Sequence, residues 1–139
     1  MSTIVLGLWA VTAAFGVVAL TRWVRRRRPG SHFPVRLVVS HVGTATLTVA
    51  SWIVFMATSV VAWAWVAMAI VTVNNVLGDR ILTGRFRAVN GSRSGRDYGQ
   101  AVLEILRFRR PLASGHALIA GVMYFTTLAT CIIETLRRT

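Results

Sequence analysis

Four long apolar stretches constrain this chain more than any other feature of its sequence. In order along the chain they cover about residues 3–22, 35–57, 60–78 and 112–135. A helix crosses the hydrocarbon core of a bilayer with about 20 apolar residues, so each stretch is long enough to span it. No segment alternates apolar and polar residues as a membrane strand does. The sequence therefore predicts an all-α integral membrane protein, an up-down four-helix bundle in which residues 1–139 form a single transmembrane domain.

The positive charges predict how these helices are oriented. All sixteen basic residues are arginine, and they are set against four acidic residues. Six arginines lie between Arg22 and Arg36 and eight between Arg80 and Arg110, whereas the turn near residues 57–61 has none. Because loops rich in positive charge stay in the cytoplasm, we expect both termini outside a bacterial inner (plasma) membrane. The arginine clusters should contact anionic lipid headgroups, and no nucleic-acid partner is expected.

The connection between the third and fourth apolar stretches is predicted to be a cytoplasmic loop over residues 79–110. Its second part, Tyr98–Phe108, spaces apolar residues as a helix does, with Glu104 and Arg107 on the opposite side. This pattern predicts a short interfacial amphipathic helix that lies on the inner membrane surface. Docking to a partner protein is the alternative interpretation of the same segment.

Two histidines are the candidate ligands of a metal centre. His41 lies seven residues after Pro34 and His116 five residues after Pro111, and each proline is expected to begin a helix. In an up-down bundle the second and fourth helices both begin at the cytoplasmic face, so the two imidazoles should differ in depth by about 3 Å. Ionisable groups inside a bilayer are costly and usually functional. Two histidines at one level on different helices are a suitable pair of axial ligands for the iron of haem b.

Several other residues are candidates for binding the same cofactor. Small residues beside the histidines would let a flat macrocycle approach the backbone. Amides at the same level would form hydrogen bonds to the polar edge of the macrocycle or to a quinone head group. Nearby arginines would bind the propionates of the haem. These candidates are Gly43 and Gly115, Asn74 and Asn75, and Arg36 and Arg110. Ser40 and Ser114 could accept the one N–H that a metal-bound imidazole keeps, although a serine in a membrane helix more often bonds its own backbone. Each residue also has a structural interpretation, such as helix packing, bridging between helices or headgroup contact.

The pattern Ser40–Gly43 in the second helix and Ser114–Ala117 in the fourth resembles the small four-helix membrane cytochrome b proteins. In that family, histidines on two helices clamp haem between them. The resemblance implies one haem and one-electron transfer between a quinol pool or a partner subunit and another acceptor. It covers the bundle as an architecture and does not extend to an alignable signature.

Two other functions remain open at this point. One is a non-catalytic membrane subunit that binds no cofactor and packs against a larger complex through its helices and its arginine-rich loop. The other is a subunit of a small transporter or channel, which only the two asparagines and the two histidines support. The five tryptophans are explained by an aromatic belt at the membrane interfaces.

Overall fold

The structure is a computed structural model that describes residues 1–26, 34–91 and 93–138. Within these ranges it contains five helices and no strand. They are α1 Ser2–Arg25, α2 Val35–Thr58, α3 Val61–Asn90, α4 Asp97–Leu106 and α5 Pro111–Leu136. The four longer helices are each long and apolar enough to cross a membrane. The predicted all-helical class with four such helices is confirmed. Residues 27–33, part of the predicted arginine-rich connection between α1 and α2, lie outside the described residues.

Local chemistry explains where several helices begin and end. Pro111 occupies the first turn of α5, where a missing N–H costs nothing. Ser59, the residue after α2, adopts a left-handed conformation and donates its N–H to the carbonyl of Phe55 at 2.8 Å, which caps the helix. Val60 alone then separates this residue from the start of α3. The predicted tight turn between the second and third long helices is therefore present.

α3 is longer than the sequence predicted. The predicted helix ended near residue 78 and a polar loop followed, whereas α3 continues to Asn90. Polar residues do not by themselves stop a helix, and Phe86, buried in the extension, keeps an apolar side against the rest of the protein. The helix ends at Gly91, whose φ of 65° is left-handed and whose N–H bonds the carbonyl of Arg87.

The predicted short amphipathic helix is present as α4, with bounds slightly different from the predicted 98–108. It packs against α3 and α5, and its apolar side buries Ala101 and Ile105. Its first residue, Asp97, is fully buried and forms an ion pair with Arg87 of α3 at 2.8 Å. This contact fixes α4 on the extended part of α3.

The four long helices pack unequally. α2 packs chiefly against α3, and α1 chiefly against α5. α3 also contacts α5, while α1 and α2 touch sparsely. Among the described residues, the backbones of α2 and α5 do not come close enough to be neighbours. The two histidine-bearing helices, α2 and α5, are therefore not packed directly against each other.

The core lies at the end of the bundle that contains the turn between α2 and α3. It includes Trp9 and Trp52, which are 4% and 0% exposed. The prediction that all tryptophans form an interfacial belt is therefore wrong for these two, because each packs inward against helices from elsewhere in the chain. Trp63 and Trp65, at 42% and 41% exposed, remain suited to a belt.

Candidate functional site

The structure brings the two candidate histidines, His41 and His116, together. The ring centroids of His41 and His116 lie 6.3 Å apart, and the ring planes are inclined at 73°. One ring projects from α2 and the other from α5, which are not packed against each other. The side chains thus bridge a gap that the backbones leave open. The distance of each histidine from a proline had predicted that the two rings would lie at one level.

Each histidine donates one ring proton to a backbone carbonyl. Nδ1 of His41 lies 3.1 Å from the carbonyl oxygen of Asn74, and Nδ1 of His116 lies 3.0 Å from that of Thr12. A carbonyl oxygen only accepts, so Nδ1 must carry the hydrogen in both rings. In a neutral imidazole, Nε2 then has a free lone pair. No hydrogen bond within the described residues involves Nε2 of His41 or His116.

A glycine lies against each histidine ring. A Cβ atom added to Gly78 would lie 3.3 Å from Cε1 of His41, and one added to Gly16 would lie 3.2 Å from Cε1 of His116. Both distances are tighter than ordinary Cβ contacts. Gly78 on α3 and Gly16 on α1 therefore provide the space that the two imidazole rings occupy, because neither glycine has a side chain.

The two histidine rings are held in the same way, each in a site that we call its socket. In each, a helix supplies the accepting carbonyl from one residue and the glycine from the residue four positions later, one turn along. On α1 these are Thr12 and Gly16, and on α3 they are Asn74 and Gly78. Each histidine is thereby held by a helix that packs closely against its own helix, and Nδ1 is used for orientation in both.

The socket of His41 is reinforced by a side-chain hydrogen bond. The hydroxyl of Thr44 donates to Oδ1 of Asn74 at 2.7 Å, while the backbone carbonyl of Asn74 receives the proton of His41. Asn74 is only 7% exposed, so its side chain faces the interior of the protein. Asn75 is half-buried and makes none of these contacts.

The predicted small and hydroxyl neighbours of the histidines serve other contacts. Gly43 is exposed on α2 and has open space where a Cβ would be, while Gly115 packs against the ring of Phe15. Ser40 and Ser114 were candidate acceptors of the imidazole N–H, but the backbone carbonyls described above accept it. The Ser114 hydroxyl is fully buried and has no hydrogen-bond partner in the described structure.

The two predicted propionate ligands lie at the starts of α2 and α5. Arg36 is exposed on the first turn of α2. Arg110, which precedes α5, is half-buried and its Nε lies 3.9 Å from Oε2 of Glu104. Arg110 already has a carboxylate partner from within the chain.

The donor set suits a metal whose other ligands come from a macrocycle. No group of three or more His, Cys, Asp or Glu side chains converges among the described residues. A protein-only zinc site takes four ligands, so two imidazoles alone are too few for it. A metal bonded at about 2 Å to one nitrogen of each ring would separate the ring centroids by roughly 6 Å. The observed centroid separation of 6.3 Å is close to this value, and no hydrogen bond among the described residues occupies either Nε2 atom.

Sequence reasoning missed the helices that hold the rings. Thr12, Gly16 and Gly78 were not among the candidate residues. The signal was present as a polar residue followed four positions later by glycine on α1 and on α3. Such spacing is common in membrane helices that pack closely, so it acquires meaning only when a histidine is found against it.

No protein-family model, curated protein or solved structure matches this chain. The functional argument therefore rests on the geometry of its own residues.

Proposed function

We propose that this chain is a multi-pass membrane protein that holds one b-type haem between α2 and α5 and takes part in one-electron transfer. The observation that carries the proposal is the convergence of His41 and His116, whose ring centroids lie 6.3 Å apart with Nδ1 of each ring occupied by a backbone carbonyl. Both Nε2 atoms are thereby the available ligand atoms, from two helices at one level of the bundle.

The protein's part in this function is to bind and orient. Haem, when bound, would supply an iron that gains and loses one electron. His41 and His116 would hold it through Nε2. The carbonyls of Asn74 and Thr12 keep the proton on Nδ1, which fixes the tautomer and makes each imidazole a stronger donor. Gly16 and Gly78 allow the edge of each ring that carries Nδ1 and Cε1 to lie against a neighbouring helix.

The proposed membrane placement follows from charge. We place the histidine pair near the cytoplasmic side of a bacterial inner membrane, with an up-down topology and both termini outside. The extension of α3 together with the segment up to Arg110 contains eight arginines, which favours the cytoplasmic side for this end. The redox partner would be a quinol pool or another subunit of a membrane complex.

An optical spectrum tests the proposal directly. Protein expressed with ample haem and purified in detergent should show a Soret band and, after dithionite reduction, a sharp α-band. His41→Ala and His116→Ala should each abolish the reduced α-band of the six-coordinate form. His32→Ala, which changes the third histidine of the sequence, serves as the matched control and should leave the spectrum unchanged. A wild-type protein without a Soret band would refute the haem proposal.

A non-catalytic subunit of a larger complex is the second candidate. The observation that favours it is that each histidine already links two helices through a hydrogen bond, α2 to α3 and α5 to α1. In that case the imidazoles would be structural groups and no cofactor would be needed. His41→Ala and His116→Ala would then lower stability or assembly without changing any visible absorption band.

A further inference from the structure

The side of α4 that faces away from the rest of the protein is apolar. On the inward side, Ala101 and Ile105 are buried, and the helix packs against α3 and α5. Leu103 is turned about 160° from Ile105 around the helix axis, and Leu106 follows one turn later on the same side. These two leucines are 43% and 59% exposed. α4 is therefore apolar on two opposite sides, and the described residues cover only the inward one.

Phe108, just after α4, has a backbone conformation that favours glycine. Its φ is 52°, its N–H bonds the carbonyl of Ile105 at 3.0 Å, and the N–H of Arg109 bonds the carbonyl of Glu104 at 3.3 Å. Helices commonly end in this way with glycine, because a Cβ strains the left-handed conformation. The phenyl ring is 55% exposed, so burial within the chain offsets little of that strain. The ring and the two leucines form what we call the α4 patch: Leu103, Leu106 and Phe108.

Positive charge borders the α4 patch. Arg107 and Arg109 are exposed, and neither forms an ion pair with a carboxylate of the described residues. The acidic side chains of α4, Asp97 and Glu104, are each paired with another arginine of the chain. The exposed surface at this end of α4 therefore combines apolar side chains with uncompensated arginines, which is the composition of a helix that binds an anionic lipid surface.

The short connection to α5 keeps the α4 patch close to the bilayer. α4 ends at Leu106, and α5, which is long and apolar enough to cross a membrane, begins at Pro111. The five Cα–Cα steps between these two residues reach at most about 18 Å. The packing of α4 against the start of α5 shortens this reach further. A lipid surface is therefore the nearest apolar environment outside the chain.

We propose that the α4 patch inserts into the membrane leaflet at this end of the bundle, with Arg107 and Arg109 at the level of anionic lipid phosphates. Insertion removes the two leucines and the phenyl ring from water. The arginine stems lie along apolar surface and keep their guanidinium groups at the phosphates. Protein thus holds one side of α4 and lipid the other, and this assignment is independent of the haem proposal.

Spin labelling of the full chain in vesicles tests this placement. Cys131→Ala removes the native thiol, and the variants Leu103→Cys, Leu106→Cys and Gln100→Cys each receive one nitroxide. Gln100 is exposed on the polar edge of α4 and serves as the control. The vesicles contain phosphatidylethanolamine and phosphatidylglycerol. Collision rates are measured with oxygen, which concentrates in lipid, and with a nickel chelate, which stays in water. We expect oxygen to dominate at both leucine positions and nickel to dominate at the control.

The two collision rates also identify the other environments that the α4 patch could have. Nickel collisions at Leu103→Cys and Leu106→Cys as frequent as those at Gln100→Cys would place the patch in water. Low collision rates with both reagents would place it against protein, either a second copy of this chain or another partner. Each of these results would overturn the proposal.

Phe108→Gly separates a lipid contact of the ring from a role in the fold. Glycine adopts the left-handed conformation without strain, so the variant should unfold in neutral detergent at the wild-type temperature or above. In vesicles it should shift the Leu106→Cys label towards water, whereas Phe108→Leu should shift it less. A marked loss of stability in detergent, or an unchanged label in vesicles, would contradict the assignment of this ring to lipid.

The arginines have a matched control in the loop before α4. Arg107→Gln together with Arg109→Gln should shift the Leu106→Cys label towards water in vesicles that contain phosphatidylglycerol. Arg93→Gln removes an exposed arginine away from the α4 patch and should leave the label in place. Equal shifts in the two cases would show that net charge, and not contact beside the patch, sets the depth of α4.

Discussion

The glycine sockets make the sharpest prediction about the histidine pair, because two matched controls lie on the same helices. Gly78→Ala and Gly16→Ala place a Cβ atom 3.3 Å and 3.2 Å from the Cε1 atoms of the two imidazoles. Gly84→Ala on α3 and Gly7→Ala on α1 place it in open space, with nothing within 4 Å. All four changes are chemically identical, and only the first two touch a ring.

The expected magnitudes follow from helix propensity and ring displacement. Alanine is favoured over glycine inside a helix by about 0.5–1 kcal/mol, so both controls should raise the free energy of unfolding by about that amount. At the two sockets the ring must move by a few tenths of an ångström, which strains its hydrogen bond to the carbonyl. A net hydrogen bond is worth about 0.5–1.5 kcal/mol, so this strain should cancel most or all of the gain.

Under the haem proposal, haem retention should respond more strongly to the socket variants than the free energy of unfolding does. A displaced imidazole no longer directs Nε2 as it does in the native socket, and changes to groups that orient a metal ligand typically cost about 10–100-fold in metal affinity. For all four variants, the free energy of unfolding is measured by denaturation in mixed micelles. The rate of haem release is measured by transfer of haem to an acceptor apoprotein. The reasoning is refuted if the socket variants gain as much stability as the controls and release haem at the wild-type rate.

Three further predictions concern groups outside the two rings. Ser114→Ala should leave the free energy of unfolding unchanged or raise it by about 1 kcal/mol, because the buried hydroxyl has no partner; a clear loss in a denaturation experiment would contradict this. Thr44→Val should lower it by about 1–3 kcal/mol, because the buried amide oxygen of Asn74 loses its donor; stability equal to the wild type would show that this bond contributes nothing. The negative charge of Asp79, with some desolvation and a hydrogen bond of 3.2 Å, raises the pKa of the Tyr98 phenol. The contribution of this Tyr98–Asp79 interaction to folding stability is therefore present below the ordinary pKa of tyrosine, about 10, and is lost as pH rises through the raised pKa of Tyr98. Ultraviolet titration of the wild type and Asp79→Asn should show a lower Tyr98 pKa in the variant, and identical titration curves would contradict the assignment.

Local sequence patterns were sufficient for the helices but not for their full extent. Apolar stretches of membrane-spanning length predicted all four long helices, and helical spacing predicted α4. The extension of α3 to Asn90 was missed because hydropathy falls after residue 78, while the helix depends on hydrogen bonding and on the packing of Phe86. Only Gly91, with its left-handed conformation, ends it.

Local sequence patterns did not distinguish exposed residues from inward-facing ones. Trp9 and Trp52 lie in apolar sequence surroundings like those of Trp63 and Trp65, yet the first two are buried in the core. In a chain where nearly every face of a helix is apolar, hydropathy cannot rank the faces. Packing against helices distant in sequence decides which side chains turn inward.

The sequence by itself determined that this chain forms long apolar helices, that its arginines gather at particular connections, and that two histidines stand at similar distances from helix-starting prolines. These properties depend on composition and on spacing along one segment. Only the tertiary structure decided that the imidazoles meet, that carbonyls of Thr12 and Asn74 receive their protons, and that Gly16 and Gly78 make room for them. The reason is that the site is assembled from four helices, and contacts between residues as far apart as Thr12 and His116 depend on packing that no single segment encodes.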